Sequence, residues 1–335
     1  MQRWRVCIPT RDSARWIGVF LAEYRRLGVE PLYIVDSRSK DETLAILQGR
    51  GAETAVITPR GDFVEAGMIE AACAASNSEW ILRMDDDELP SAALLRWIEN
   101  VGVHSIRAAW MVSRRDLFRH EGKIYYSRRR SAYHHVELPN YLAGHVRLHR
   151  TVGLQFSGQL HTSGLANLGP VGFAPEACFF VHCADLLLSR AQRLNKIRKY
   201  ETIEAGSAWR FADEYLPELF DFAHLRPAQD GLDELAGFLN SLPLPDETAG
   251  LPINVREREL AQIETRKLGR LIDQYQARGA KHSTSDKIEY MKIFPRPLWR
   301  AISVVFYISG KVLRISSAVK FGKTIKSLYK YYRYI

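Results

Sequence analysis

The sequence predicts an α/β protein: a mainly parallel sheet with flanking helices, followed by a helical C-terminal extension. Three observations lead there. Short apolar runs alternate with amphipathic stretches of helical spacing through the first hundred residues, the pattern of repeated βαβ units. Three of the four predicted strands end in polar residues, Thr10-Arg11-Asp12, Asp36-Ser37 and Asp85-Asp86-Asp87, where ligands sit in parallel sheets. The last forty residues carry a helical apolar stripe set among lysines and arginines.

The elements are read in chain order. Arg5 to Pro9 (RVCIP) is a first strand ended by proline. Ala14 to Leu27 places Trp16, Phe20, Leu21, Tyr24 and Leu27 on one helical face, and Gly28 stops it. Pro31 to Val35 is a second strand, and a helix follows from Asp41 to Leu47 with Ser39 or Asp41 as its cap. Ala55 to Ile57 is a third strand, Phe63 to Ala75 an alanine-rich helix, and Trp80 to Met84 a fourth strand. Beyond Ser105 the alternation changes. Ala108 to Val112 is a strand, and Arg114 to Arg130 is strongly basic with Phe118, Tyr125 and Tyr126 among the charges. Val146 to Leu148 and Val152 to Phe156 read as a hairpin. A strand within Glu176 to His182 and a helix from Leu186 to Ala205 come next. Pro227, Pro243, Pro245 and Pro252 mark an irregular connection, and Arg256 to Ala277 reads as a charged, solvated helix. The expected organisation is a main domain over 1–225, a helical connection over 226–280 and a basic tail over 281–335.

Composition narrows the function. With 335 residues, 46% of them hydrophobic, the chain can bury a large core. The net charge of +9 misleads as an average. Twelve Lys and Arg against two acids lie from Lys281 onward, so the main domain is near neutral. This counts against nucleic-acid binding by the whole protein. Apolar residues from Leu298 to Val319 at spacings of three and four make the tail an amphipathic helix with terminal tyrosines, suited to an anionic membrane surface. Its longest uncharged run, Ala301 to Gly310, is too short to span a bilayer. The same stripe also suits packing on the main domain or on a second copy, a homo-oligomer. MQRWRVCIPT holds no apolar signal-peptide core, so a cytoplasmic place on the cytosolic face of the membrane is expected. The four cysteines contain no CxxC pair. Cys178, His182 and Cys183 lie close together, but no fourth zinc ligand is evident.

The chemistry concentrates in EWILRMDDDELPS, where a buried strand runs straight into Asp85, Asp86, Asp87 and Glu88. Like charges so close repel, and none is buried without a positive partner, basic side chain or metal ion. Two carboxylates one residue apart on a tight turn suit Mg²⁺ or Mn²⁺, which takes hard oxygen ligands and keeps room for phosphate. The competing explanation is an acidic first turn of the helix that follows Pro90 and Ser91.

Asp36, Ser39, Asp41 and Thr43, followed by Trp80 with Asp85, Asp87 and Glu88, resemble the motifs of family-2 type glycosyltransferases of GT-A fold. The branch is that of bacterial polysaccharide and lipopolysaccharide assembly. Farther on, Arg147, Leu148 and Arg150, then Phe156, Gly158 and His161, resemble a later stretch of related transferases. The resemblance implies transfer of a sugar from a nucleotide-diphosphate donor, with a UDP-sugar favoured, to a saccharide or lipid-linked acceptor, with inversion and with a divalent cation, Mn²⁺ or Mg²⁺. Pro9 and Thr10 would line the nucleobase, and Asp36 would bond the base or ribose. Arg11 or Arg60 would meet the diphosphate. Asp85 would approach ribose or metal, Asp87 would be the principal metal ligand, and Asp86, the variable middle residue, would face away. Glu88 would orient Asp87 or a metal-bound water. His161 would touch metal or diphosphate, while His182, Lys196 and Tyr200 would be packing or acceptor-side residues. An inverting transfer needs a proton acceptor. The candidates are Asp116, Glu121, Glu137 and His161, with Asp116 favoured. The sequence departs from the family at Asp12-Ser13, at Arg38 in place of a small residue, at Arg83 inside the acidic strand and at Thr162 in place of a glutamate. Two rival readings are a nucleotidyltransferase, which should carry a glycine-rich loop where PTRDSARW stands, and a non-catalytic binder acting through the tail.

Overall fold

The computed structural model describes residues 2–59, 65–127, 144–152, 155–156, 165–166, 169–203, 216 and 225–245. Within them the first half is repeated βαβ. Strand β1 (Gln2–Thr10) leads into α1 (Ile17–Arg26), β2 (Leu32–Asp36), α2 (Thr43–Gly49), β3 (Glu53–Ile57), α3 (Glu65–Ala75) and β4 (Ser78–Arg83). These strands pair in parallel in the order β4-β1-β2-β3. Helices cover both faces. Ile17, Phe20, Leu21 and Tyr24 of α1 share one core with Val6, Ile8, Trp80 and Leu82, while Met68 and Ala72 of α3 pack with Cys7, Ile34 and Ile81 on the other. The period-two alternation along β1 and β4 feeds the two cores in turn.

Local signals set the boundaries. Gly28 ends α1 in the left-handed region at φ 78°. There the Val29 N–H bonds back to the Tyr24 carbonyl at 2.9 Å, a glycine-terminated C-cap. Short strand β5 (Glu88–Pro90) precedes α4 (Ala92–Asn100), whose cap is Ser91, its hydroxyl accepting from the Leu94 N–H at 3.1 Å. The four acids therefore lie before the cap and outside the helix's first turn, which removes the helix-terminus explanation.

The second half adds an antiparallel flank. Strands β6 (Ala109–His120), β7 (Lys123–Ser127) and β8 (Gly144–Arg150) extend the sheet in the order β7-β6-β8-β4. A two-residue turn, Glu121-Gly122, joins β6 to β7 with both residues at positive φ, 48° and 75°. Strand β6 is twelve residues long, so most of the basic stretch after Val112 is sheet. Among the described residues, the two strands of the predicted hairpin of residues 146–156 do not pair with each other. Strand β8 pairs with β4 and β6, and β9 (Gln155–Phe156) pairs instead with β10 (Leu165–Ala166) in a separate two-stranded sheet. Strand β11 (Val171–Phe173) joins β6, and β12 (Phe179–His182) lies between β5 and β6. The helix predicted from Leu186 is broken into α5 (Ala184–Leu187) and α6 (Arg190–Ile203). Ser189 and Gln192 make the break. Ser189 donates its N–H to Gln192 at 2.8 Å and receives the Gln192 N–H at 3.3 Å, a capping box.

The chain then returns to the start of the sheet. Strand β13 (Arg226–Pro227) pairs with β7, and α7 (Ala236–Ser241) reaches α1, where Phe238 meets Phe20 edge-on at 5.0 Å between centroids. Leu232, Leu235, Phe238 and Leu239 belong to the main core. Arg60, Glu137 and His161, the helix predicted over Arg256 to Ala277 and the tail lie outside the described residues. Among the described residues no helix is long and apolar enough to cross a membrane.

One core residue sets a stability signature. His149 on β8 is fully buried and donates Nδ1–H to the Arg150 carbonyl at 2.9 Å. Burial, with Arg83 nearby, depresses its pKa to about 4 from the usual 6.5. The folded state thus refuses a proton that the unfolded chain accepts below pH 6.5. Stability from this group is complete above that value and is lost as pH falls toward 4. The gap corresponds to about 3 kcal/mol. In urea melts at pH 7.5 and 4, wild type should lose about 3 kcal/mol more than His149→Gln. Equal losses would show that His149 titrates normally.

Candidate active site

After β1, β2 and β3 the chain crosses back to set β4 on the other side of β1. The crevice beyond the carboxyl ends of β1 and β4 is therefore the topological switch point, where open α/β sheets bind ligands. Thr10, at the end of β1, and the acids after β4 meet there.

Each acid has a different partner. Asp85 receives Arg147 Nη2 at 2.8 Å, and its side chain stays 46% exposed. Glu88 is buried, bonds Arg147 and accepts the Asp85 N–H at 3.0 Å. The carbonyl of Glu88 is held by the buried Tyr24 hydroxyl at 2.9 Å. Asp86 turns aside to β1, accepting Thr10 Oγ1 at 2.7 Å and also the Ser13 hydroxyl. Asp87 faces His182, with 3.5 Å between Oδ2 and Nε2, and its carbonyl takes the Cys183 N–H at 2.8 Å. His182 Nδ1 lies 2.8 Å from Asp116 Oδ1, which also meets Arg114 Nε at 2.9 Å. Pairing of β12 with both β5 and β6 creates this row, since His182 is in register with Glu88 on one side and Asp116 on the other.

The electrostatics follow from these contacts. Burial pushes the Asp85 carboxyl up, but Arg147 and Arg83 outweigh it and hold the group below the usual carboxylate range. Burial, reinforced by the Asp87 charge, raises Asp86 to about 7 against its hydroxyl partners. Burial raises Glu88 to about 7 as well, with Arg147 opposing. Asp87 is held low, burial being overcome by His182 and Lys196. His182 rises to about 10, because Asp87 and the hydrogen bond to Asp116 outweigh burial. Asp116 is held low in turn, Arg114 and His182 overcoming its burial.

The motif at 36–43 braces the loops. Asp41 accepts the Ala14 N–H at 2.8 Å and the Thr43 N–H at 3.0 Å, while Thr43 Oγ1 accepts the Ser13 N–H at 2.7 Å. Asp12 adopts φ 54° and accepts the Lys40 N–H at 2.6 Å. Asp36 is 3% exposed, and its carboxylate is taken by Arg38 through the backbone N–H at 2.9 Å and through Nη2 at 2.9 Å. Arg11 stands 3.7 Å away on the same oxygen. Pro9 pairs with Ile34 inside the sheet and is half-buried.

The structure thus places Pro9, Thr10 and Arg11 at the end of β1, Asp36 at the end of β2, and Asp85 and Asp87 after β4, all at the carboxyl ends of the parallel strands. Asp116 is buried and meets Asp87 only through His182. Glu121 stands apart at the tip of the β6–β7 turn. The sequence reading gave His182 a packing or acceptor-side role and missed its pairing with Asp87. The signal was the rule applied to the other strands, an apolar run ending in a polar residue, here FFVH.

The residues present suit a divalent cation completed by substrate. Asp85 and Asp87 supply hard oxygen donors, and Asp87 Oδ2 and His182 Nε2 at 3.5 Å are spaced as two ligands of one ion would be. Among the described residues no group of three or more His, Cys, Asp or Glu is arranged to hold a metal ion by itself.

No family model matches the chain, and no curated protein matches it. Solved structures do. TarS 1–349 of S. aureus in complex with UDP-GlcNAc is 12% identical over 83% of this chain and 92% of that one, with a TM-score of 0.38. Glucosyl-3-phosphoglycerate synthase from Mycobacterium tuberculosis, in complex with phosphoglyceric acid, is 15% identical over 34% of this chain, with a TM-score of 0.28. A cytidylyltransferase from Leptospira borgpetersenii is 14% identical over 33% of this chain and 54% of that one, at 0.27. The chain spans less than half the length of that synthase, 44%, and of a further mycobacterial protein structure, 41%, with which it is 17% identical at a TM-score of 0.29.

Proposed function

We propose that this chain is a glycosyltransferase of GT-A fold that moves a sugar from a nucleotide-diphosphate donor to a saccharide or lipid-linked acceptor. One observation carries the reading. Asp85 and Asp87 stand just beyond the carboxyl end of β4, at the switch point, with Asp85 the more exposed of the two and Asp87 buried. Asp85 and Asp87 would hold a divalent cation together with the substrate's phosphates, with His182 beside Asp87. When bound, that cation supplies charge neutralisation to a leaving diphosphate. The protein's own residues do the rest. Arg147 fixes Asp85 and Glu88 in one orientation, and Asp86 ties the acidic turn to β1 through Thr10 and Ser13. Asp116 is a positioning residue. It accepts Nδ1–H of His182 and so aims Nε2 at Asp87. The acceptor's own hydroxyl proton goes to a base that Asp116, buried behind His182, is badly placed to be.

The test is release of nucleotide diphosphate from a panel of nucleotide sugars. Release should require Mn²⁺ or Mg²⁺ and fall at least about a hundredfold in Asp87→Asn, as expected for losing a metal ligand. Turnover that ignores both cation and substitution would contradict the assignment.

A further inference from the structure

The end of the sheet opposite the acids carries an apolar patch that no step of the proposed transfer uses. Among the described residues, Ile106 is 94% exposed, Val152 72% and Val101 51%, three of the five exposed large hydrophobics. Val101 and Ile106 flank the 3₁₀ turn Gly102–His104 between α4 and β6, and Val152 follows the carboxyl end of β8. All three therefore lie at the amino ends of the parallel strands. None is a loose end. The Arg150 side chain donates to the Ser105 carbonyl at 3.0 Å and to the Arg107 carbonyl at 3.3 Å, which pins the backbone on both sides of Ile106. Thr151 donates its N–H to the Glu79 carbonyl at 3.0 Å and its hydroxyl to the Ser78 carbonyl at 2.8 Å, fixing the base of Val152. Trp110 Nε1 holds the Gly102 carbonyl at 3.0 Å, and Trp97 meets Trp110 edge-on at 4.9 Å between centroids.

We propose that this face docks the protein on an anionic membrane surface, with Ile106, Val152 and Val101 entering the boundary between lipid headgroups and acyl chains. Exposed apolar residues gathered on a rigid mount mark an interaction site, because scattered ones are ordinary and gathered ones lower solubility for no gain in the core. Ile106 stands out into water rather than lining a groove, and a fluid lipid layer takes a projecting side chain without a matching pocket. The charge of the rim selects the partner. Arg107 is next to Ile106, Arg150 grips the backbone on both sides of it, and Arg3 Nη1 reaches His104 Nδ1 in the turn at 2.9 Å. The acids at this end are Glu79, taken by Arg150, and Glu99, taken by the Trp4 indole. Three guanidiniums against two carboxylates leave the rim positive, the sign that anionic headgroups attract. A second copy of the chain would bring the same positive rim and be repelled. The face lies at the far end of the sheet from Asp85 and Asp87, so the inference does not depend on what those acids bind.

Co-sedimentation of the full chain with vesicles tests this, using phosphatidylcholine alone and phosphatidylcholine with about one-third phosphatidylglycerol. Wild type should bind the anionic vesicles and bind the neutral ones more weakly. The double variant Ile106→Ser with Val152→Ser should lower the partition coefficient at least about ten-fold. Its thermal melt should stay that of wild type, since both positions are exposed. The difference should persist at about 0.5 M salt, where attraction through the basic tail is screened. Ile106→Trp should raise the partition coefficient, which decides the matter if the double variant does not fold. Equal binding of wild type and the serine variant would leave the attachment to the tail alone and overturn the inference. So would a wild type that stays in the supernatant with anionic vesicles. Self-association that the serine substitutions abolish, without vesicle binding, would assign the face to a second copy and overturn it as well.

Discussion

Replacing Arg147 with methionine should cost the fold about 3–5 kcal/mol, the usual effect of removing one partner from a buried ion pair. Arg147 is 2% exposed and Glu88 1%. Its guanidinium is shared between Glu88 and Asp85. Without it the buried Glu88 carboxylate loses its hydrogen-bonded counter-charge, keeps only the more distant His182, and must either take up a proton or draw water into the core. Asp85 contributes little to the loss, since its side chain is 46% exposed and water screens it. The double variant Arg147→Met with Glu88→Gln should recover most of the stability, because the buried charge disappears with its partner. Urea denaturation reads both. A loss within about 0.5 kcal/mol, as for an ordinary surface substitution, would mean that Arg147 does not neutralise the acids.

The second large effect is expected at Asp116, although no substrate contact is assigned to it. Asp116→Asn should weaken the cation dependence of nucleotide binding by about 10–100-fold, the usual cost of losing the partner that orients a ligating histidine. The asparagine oxygen still accepts from Nδ1 of His182. What is lost is the negative charge that fixes the ring with Nε2 toward Asp87 and balances Arg114 at 2.9 Å. His182→Ala should do at least as much harm. The readout is the Mn²⁺ concentration for half-maximal nucleotide binding, measured beside a metal-free thermal melt. A destabilised variant with an unchanged Mn²⁺ midpoint would make Asp116 a packing residue only.

Much of the βαβ half was legible because its signals are local. Gly28 announces the end of α1, the apolar runs place the parallel strands, and the acids after β4 mark the candidate site before any contact is known. Burial also turned some signals to other uses. The motif at Asp36, Ser39, Asp41 and Thr43 was found, yet most of its hydrogen bonds brace the loops after β1 and β2, and Asp36 is claimed by a residue only two positions away. The flank beyond Ser105 was harder, because its order comes from distant partners. Arg114, Arg115 and Arg119 break the alternation of β6, yet Arg115 lies over the Phe179 ring at 3.3 Å and the Arg119 N–H bonds Asp185 at 3.0 Å. Strand β8 sits between β4 and β6, some sixty and thirty residues away in sequence, and nothing near it announces either partner. His182 was obscured for the same reason. Its meaning depends on Asp87 and Asp116, which only the double pairing of β12 brings to it.

The central claim is that the acids after β4 hold a cation against a nucleotide diphosphate. Calorimetric titration of nucleotide diphosphates into wild type and Asp87→Asn, with and without Mn²⁺, addresses it most directly. Binding should need Mn²⁺, and the substitution should abolish that requirement together with most of the affinity. Binding of equal strength with and without Mn²⁺, unchanged in Asp87→Asn, would contradict it.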